Sequence, residues 1–290
     1  MAYTYQNELR NVLRYYKNDR LQKRFSLLLC GPTGSGKTYT LRTARKPIHV
    51  DSFDPGGTKS IRDLIEKREC IADTRWEKED PYAPTRFAKW MSSIDQRLAM
   101  GYFNHFGTYC LDSATKWGDA VMNYQLGTHG AAGDLPTWGD KDYTKQKRLM
   151  ENYIIKLMNI PCDFILMGHL KEFEEVLRID PKTGVKTRNV TYRFYTTGQA
   201  VITIPLLFDE LYVLETEETS SGYERKFLLE AQGKYLARSR LKGDGLLNDR
   251  EPADIKALLR KIGLSDQDKP PLDFGEENKP SVESELSKTD

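Results

Sequence analysis

An α/β fold is predicted, with a mostly parallel central sheet, helices on both faces and an added antiparallel β segment in the C-terminal half. Three observations carry it. Short apolar runs alternate with helical periodicity from residue 25 to residue 169. The first of these runs ends at a glycine-rich loop. After about residue 172 the alternation gives way to hairpin-like segments. Strands alternating with helices imply a parallel sheet covered on both sides.

Residues 6–24 have helical spacing, with Leu9, Val12, Leu13 and Tyr16 as an apolar stripe and Arg10, Arg14 and Lys17 on another face. The plain expectation is a helix packed on the main domain with a solvated basic face. The sharper one is a helix that touches nucleic acid. "FSLLLC", residues 25–30, has the length and apolar character of a buried strand. Residues 48–51 form a second strand, stopped by Pro55, Gly56 and Gly57. "KSIRDLIEKREC" and "TRFAKWMSSIDQRLAM" are predicted helices, and "GTYCLDS" a third strand. Residues 126–140 are rich in glycine and small residues, which predicts a mobile loop. "DYTKQKRLMENYIIKLMN" is a helix and "CDFILMGH" a fourth strand.

The C-terminal half begins with a hairpin, about residues 172–196, whose turn falls at residues 180–184. "QAVITIPLLFDELYVLETE", "YERKFLLEA" and "KYLARSR" add strand-like segments. In "EPADIKALLRKIGL", Ile255, Leu258, Leu259 and Ile262 form a helical stripe, with Pro252 near its start and Gly263 at its end. The expected organisation is an N-terminal helical extension (1–24), a main α/β domain (25–264) that carries the hairpin, and an acidic, disordered tail (265–290).

Charge supports that division. The 290 residues carry 44 Lys and Arg against 42 Asp and Glu. Residues 265–290 hold 8 acids and 3 bases, so a mildly basic body carries an acidic tail. A basic body suits a nucleic-acid partner and ordinary solubility equally. Cys30, Cys70, Cys110 and Cys162 are too scattered for a metal knuckle, and buried free thiols in a reducing compartment are expected. The charged N-terminus is unlike a signal peptide, and no run approaches the ~20 apolar residues of a membrane span. A cytoplasmic protein is therefore expected.

Gly31-Pro32-Thr33-Gly34-Ser35-Gly36-Lys37-Thr38 matches G-x-x-x-x-G-K-[ST] in full. Glycines let backbone N–H groups curl around phosphate oxygens. Lys37 reaches the β- and γ-phosphates, and the Thr38 hydroxyl ligates magnesium. Tyr39 starts the next helix, whose N-terminus favours an anion. The expected cofactors are thus ATP and Mg2+. Asp112, ending "TYCLD", is the candidate second magnesium carboxylate, against the plainer role of capping the segment after its strand. Ser113 comes next and is no general base.

The water-activating acid is sought at Asp51 or Asp54, since ligand-binding residues of a parallel sheet sit at the carboxyl ends of strands. That requires their strand to lie between the phosphate-loop strand and the Asp112 strand. The plainer roles are a strand cap for Asp51 and a turn for Asp54. His169, after the fourth strand, is placed to sense the γ-phosphate. Arg238 and Arg240 alternate along a late segment and are candidates for stabilising phosphate charge, supplied to a neighbouring subunit. Lys186, Arg188 and Arg193 interleave with Tyr192, Phe194 and Tyr195, the cation–aromatic mixture that binds single-stranded nucleic acid. His129 and Trp138 in the glycine-rich loop are further candidates.

The set "GPTGSGKT", "VDSFDPGG", "YCLDSAT", "MGHLK" and "ARSRL" resembles phage-encoded RecA-like P-loop ATPases of the Sak/Rad-type single-strand annealing and recombination group. The resemblance implies a RecA-like P-loop NTPase fold, action on single-stranded DNA, and ring or filament assembly as a homo-oligomer. It places the water-activating acid on the strand after the phosphate-loop helix, at Asp51 or Asp54, where the group usually has a glutamate. It makes Arg238 and Arg240 the groups that reach a neighbour's nucleotide. Two other classes share the phosphate loop. A nucleotide kinase needs a basic lid, for which Lys145, Lys147 and Arg148 are the candidates. A non-hydrolysing switch fits a tail whose Leu272 and Phe274 dock a partner protein.

Overall fold

Ser26–Gly31 forms the central strand, β1, and all six residues are buried. The computed structural model describes residues 4–137, 141–179, 186–220 and 222–275. β5 (Asp163–Ile179) and β7 (Glu210–Thr219) flank β1, both parallel to it. Beyond β5 come β4 (Thr108–Asp112), β2 (Ile48–Ser52) and β3 (Cys70–Asp73), again all parallel. On the other side the sheet turns antiparallel, through β8 (Gly222–Leu228) and β10 (Arg250–Pro252). β9 (Arg238–Ser239) pairs with the start of β7, and β6 (Lys186–Phe194) with the outer half of β5. The expected fold class is the one the chain adopts.

Side-chain alternation along β1 explains the two covered faces. Leu28 and Cys30 join one apolar cluster, with Phe87 and Trp90 of α3 (Arg86–Ala99), Trp117 of α4 (Ala114–Gly127) and Tyr153 of α5 (Asp142–Leu157). Leu27 and Leu29 join the other, with Leu64 of α2 (Arg62–Glu66) and Leu258 and Leu259 of α7 (Ile255–Lys261). A strand buried on both faces shows no polar alternation, which is why its sequence is a continuous apolar run.

Several elements differ from expectation. The phosphate loop leads into a 3-10 helix, Thr38–Thr43, rather than an α-helix, because β2 already begins at Ile48. The segment 59–70 is not one helix: a 3-10 turn and the five-residue α2 are succeeded by β3, a short edge strand hidden in a charged run. Ala200–Leu206 is a helix, α6, and not a strand, since Ala200, Val201 and Ile204 place one face in the core. The predicted strand 234–240 is reduced to the two residues of β9.

The N-terminal helix, α1 (Tyr5–Asn18), buries none of its residues. Its stripe of Leu9, Val12, Leu13 and Tyr16 is exposed, contrary to a helix packed on the domain. The hairpin turn at 180–184, Trp138 and residues 276–290 lie outside the described residues.

Residues 265–275 correct the expectation of a tail disordered from Ser265. The Lys269 amide donates to the Lys46 carbonyl (2.8 Å), and its ammonium donates to the carbonyls of Asn104 (2.9 Å) and Pro161 (3.3 Å). Leu272 packs against the core, and the Arg68 guanidinium lies 4.8 Å from the Phe274 ring centre. Of the two residues expected to dock a partner protein, Leu272 is partly buried against the core, while Phe274 is 44% exposed beside Arg68.

Candidate functional site

The loop after β1 turns through Gly34 and Gly36, both at positive φ (81° and 91°), where a side chain is strained. Lys37 is only 7% exposed. Its ammonium lies back over the loop and donates to the carbonyls of Gly31 (3.0 Å) and Pro32 (2.9 Å). Burial lowers its pKa, and the negative charge of Asp112 opposes that fall.

Thr38 Oγ1 donates to Asp112 Oδ2 at 2.6 Å, bringing together the two expected magnesium ligands. Neighbouring ligands on a six-coordinate magnesium lie about 2.9 Å apart, given bonds of about 2.0–2.1 Å. A shift of a few tenths of an ångström would seat the ion between these two oxygens, so the donor set fits Mg2+. Asp112 is 3% exposed, and burial pushes its pKa up to about 6. The Thr38 hydrogen bond opposes the rise and the charge of Asp54 adds to it. The Asp112–Ser113 peptide is cis.

Asp54 and His169 belong to the same locale. Asp54 acts electrostatically on Asp112, Lys37 and His169. It sits in the turn after β2, where a Cβ on Gly57 would fall 3.4 Å from Asp54 Cβ and 4.0 Å from Asp112 Oδ2. His169 pairs in register with Gly31, the last residue before the loop, and its Nδ1 is 3.2 Å from Thr115 Oγ1. Burial, reinforced by the charge of Lys37, lowers its pKa from 6.5, so it is neutral at physiological pH.

Asp51 does not belong there. The strand between β1 and β4 is β5, and β2 lies on the far side of β4. Asp51 is fully buried and accepts from Trp76 Nε1 (3.1 Å), Trp90 Nε1 (2.8 Å), Arg97 Nη1 (2.9 Å) and the Tyr109 hydroxyl (2.7 Å). His49 Nε2 is 3.0 Å away. Burial opposes ionisation, but these hydrogen bonds and the charge of Arg97 outweigh it and hold the carboxyl well below the usual range. With its oxygens so engaged, Asp51 is a structural hub and not a water activator.

Arg238 and Arg240 lie at the opposite end of the sheet from the loop, beside the first residues of β7. Arg238 Nη2 donates to the carbonyls of Pro205 (3.1 Å) and Phe208 (2.8 Å). Arg240 pairs with Asp209 at 2.7 Å. Neither approaches the phosphate loop of its own chain. The kinase-lid candidates Lys145, Lys147 and Arg148 are residues of α5, not of a lid, and Lys147 pairs with Glu151. His129, in the glycine-rich segment, is held by Asp142 at 2.9 Å.

Two residues at the site escaped the sequence. Glu77 spans the turn that carries Asp54: Oε1 accepts from Ser52 Oγ (2.8 Å) and Oε2 from the Gly56 amide (3.1 Å). Its charge also helps to raise Asp112. Arg225 of β8 donates from Nε to the Ser35 carbonyl at 3.1 Å, and its guanidinium lies 4.9 Å from the Tyr39 ring centre. In sequence, Glu77 sits in a charged run and Arg225 in an ordinary alternating strand, so neither carries a local signal.

The AAA domain family matches residues 23–241, a span that holds the loop, Asp112, His169 and Arg225 and leaves out α1 and residues 265–275. No curated protein matches the sequence. Among solved structures, a KaiC-like protein from the hyperthermophilic archaeon Pyrococcus horikoshii OT3 is similar at 12% identity and a TM-score of 0.38, over 72% of this chain and 80% of that one.

Proposed function

We propose that this chain, which belongs to the AAA domain family, is a Mg2+-dependent ATPase that acts on single-stranded DNA in phage recombination or replication. The observation that carries the ATPase reading is the Thr38–Asp112 contact beside Lys37 at the mouth of β1. Bound there, magnesium supplies electrophilic neutralisation of phosphate charge. The chain's own groups do the rest. The loop amides and Lys37 hold the phosphates. Asp54, which the turn after β2 brings in from the far side of β4 and whose charge acts on Lys37, Asp112 and His169, orients and deprotonates the attacking water. Neutral His169 offers a hydrogen bond to the γ-phosphate end.

The DNA reading is supported by one face of the β5–β6 arm. Lys171 pairs in register with Arg193, with Phe173 two residues along on the same side. The Lys171 ammonium lies 5.2 Å from the Tyr195 ring centre, and the Arg193 guanidinium 5.5 Å from that of Phe173. Cations for phosphates and rings for bases are the means by which proteins hold single strands. The phage setting and the ring or filament assembly rest on the family resemblance. In such an assembly Arg238 and Arg240 would serve a neighbour's nucleotide, at the cost of breaking the Arg240–Asp209 pair. Cytoplasmic localisation belongs to the same reading, and no helix among the described residues is long and apolar enough to cross a membrane.

ATP turnover measured with and without single-stranded DNA tests the proposal. Lys37→Ala is expected to abolish nucleotide binding or turnover. Undiminished turnover in that variant sinks the ATPase assignment, and indifference of binding and turnover to DNA sinks the DNA half. Arg193→Ala is expected to weaken DNA binding and to flatten its log–log salt dependence by about 0.7.

A further inference from the structure

We infer that Arg225 binds the α- and β-phosphates of the nucleotide held by its own chain. This deepens the ATPase reading and rests on its nucleotide site. β8 runs antiparallel to β7 with Arg225 opposite Thr216, which brings both side chains to the outer wall of the loop. Both donate to a single acceptor, the Ser35 carbonyl: Thr216 Oγ1 at 3.0 Å and Arg225 Nε at 3.1 Å. The guanidinium packs on the loop itself, since a Cβ on Gly36 would fall 2.4 Å from Nε and 3.1 Å from Cζ. It also covers Tyr39, the residue after the magnesium-binding threonine.

Charge sets Arg225 apart from its neighbours. Lys226 pairs with Glu217 and Glu224, and Arg250 with Glu215. Among the described residues no carboxylate is within ion-pair distance of Arg225. A guanidinium has five N–H donors in a planar fork. The bond to Ser35 uses the Nε donor, and the two Nη groups have the geometry that suits a phosphate. The amides of residues 36–39 belong to the part of the loop that cradles the α- and β-phosphates, whereas Lys37 reaches towards the γ-phosphate. The location of Arg225 against Gly36 and Tyr39 therefore assigns it to the α/β end. Unlike Arg238 and Arg240, it needs no second subunit.

The test is titration of the 290-residue chain with ADP and with a non-hydrolysable ATP analogue, for Arg225→Gln, Arg225→Ala and Arg225→Lys. Arg225→Gln keeps a donor for the Ser35 carbonyl and removes the charge, so it remains usable if the alanine variant does not fold. Glutamine is expected to weaken both ligands about tenfold or more. Lysine, which keeps the charge, is expected to recover part of the loss. A merely structural role would lower the melting temperature and leave nucleotide affinity of the folded protein intact. Unchanged ADP affinity in folded Arg225→Gln overturns the inference. Loss for the ATP analogue but not for ADP also overturns it, by moving the contact to the γ-phosphate. Intact binding by Lys37→Ala would instead overturn the nucleotide site itself.

Discussion

Asp112 is the residue whose chemistry is most exposed to experiment. Its carboxyl titrates near 6 in the folded chain against an ordinary 3.8, with burial as the main cause. The folded state therefore holds the proton more tightly than the unfolded one. The cost of burying the charge is fully present above pH 6 and disappears as pH falls through the two values. That climb corresponds to roughly 3 kcal/mol. Asp112→Asn is expected to stabilise the metal-free protein by about that amount at pH 8 and by nothing near pH 3, read from urea denaturation. Protons also compete with the metal, so Mg2+ affinity should fall about tenfold per pH unit below 6. A magnesium titration that is flat between pH 5 and 7 would contradict Asp112 as a ligand. At this scale the sequence was informative where chemistry is local. Residues 31–38 are contiguous, and their order is set by how a backbone wraps a phosphate. Glu77 and Arg225 were illegible because their partners are distant in the chain, 190 positions away for Arg225 and Ser35.

At the scale of elements, β2 shows how strand order decides roles. An aspartate at a strand end looks catalytic until the order puts β5, not β2, beside the loop strand. Asp51 instead joins β2 to α3 and, through Arg97 Nη2 and Asp73 Oδ2 at 2.5 Å, to the edge strand β3. Removing one partner strands a buried charge, so Arg97→Ala is expected to cost about 3–5 kcal/mol at pH 7. Because the pKa of Asp51 is depressed, its contribution is present above about pH 4 and lost as pH falls below that. Denaturant midpoints of the variant and the parent should therefore converge in acid. A loss under 1 kcal/mol at pH 7 would contradict the hub. The strands with apolar runs were legible in sequence. β3 was not, because an edge strand of four residues needs little apolar character. α6 was not, because β-branched residues also tolerate a helix when one face is buried.

For the whole molecule, residues 265–275 close the end of the sheet opposite the phosphate loop. They join Lys46, Asn104 and Pro161, which precede β2, β4 and β5. A chain ended at Leu264 is expected to lose about 1 kcal/mol through the partly buried Leu272 alone, seen as a lower melting temperature with nucleotide affinity unchanged. An unaltered melting temperature would show that the segment contributes nothing. Composition concealed this closure, since eleven mostly polar residues bind here chiefly through backbone carbonyls and one leucine. At the other end, β5 passes His169 and continues to Ile179, with its register against β6 shifting between Val176 and Arg178. The ten residues from Leu170 to Ile179 reach about 33 Å at ~3.3 Å per residue. His169 and one strand of the arm thus belong to a single continuous element. On the proposed function, thermodynamic reciprocity ties the two ends of that strand: whatever nucleotide does to the grip of the arm on DNA, a gripped DNA strand does equally to the hold on nucleotide.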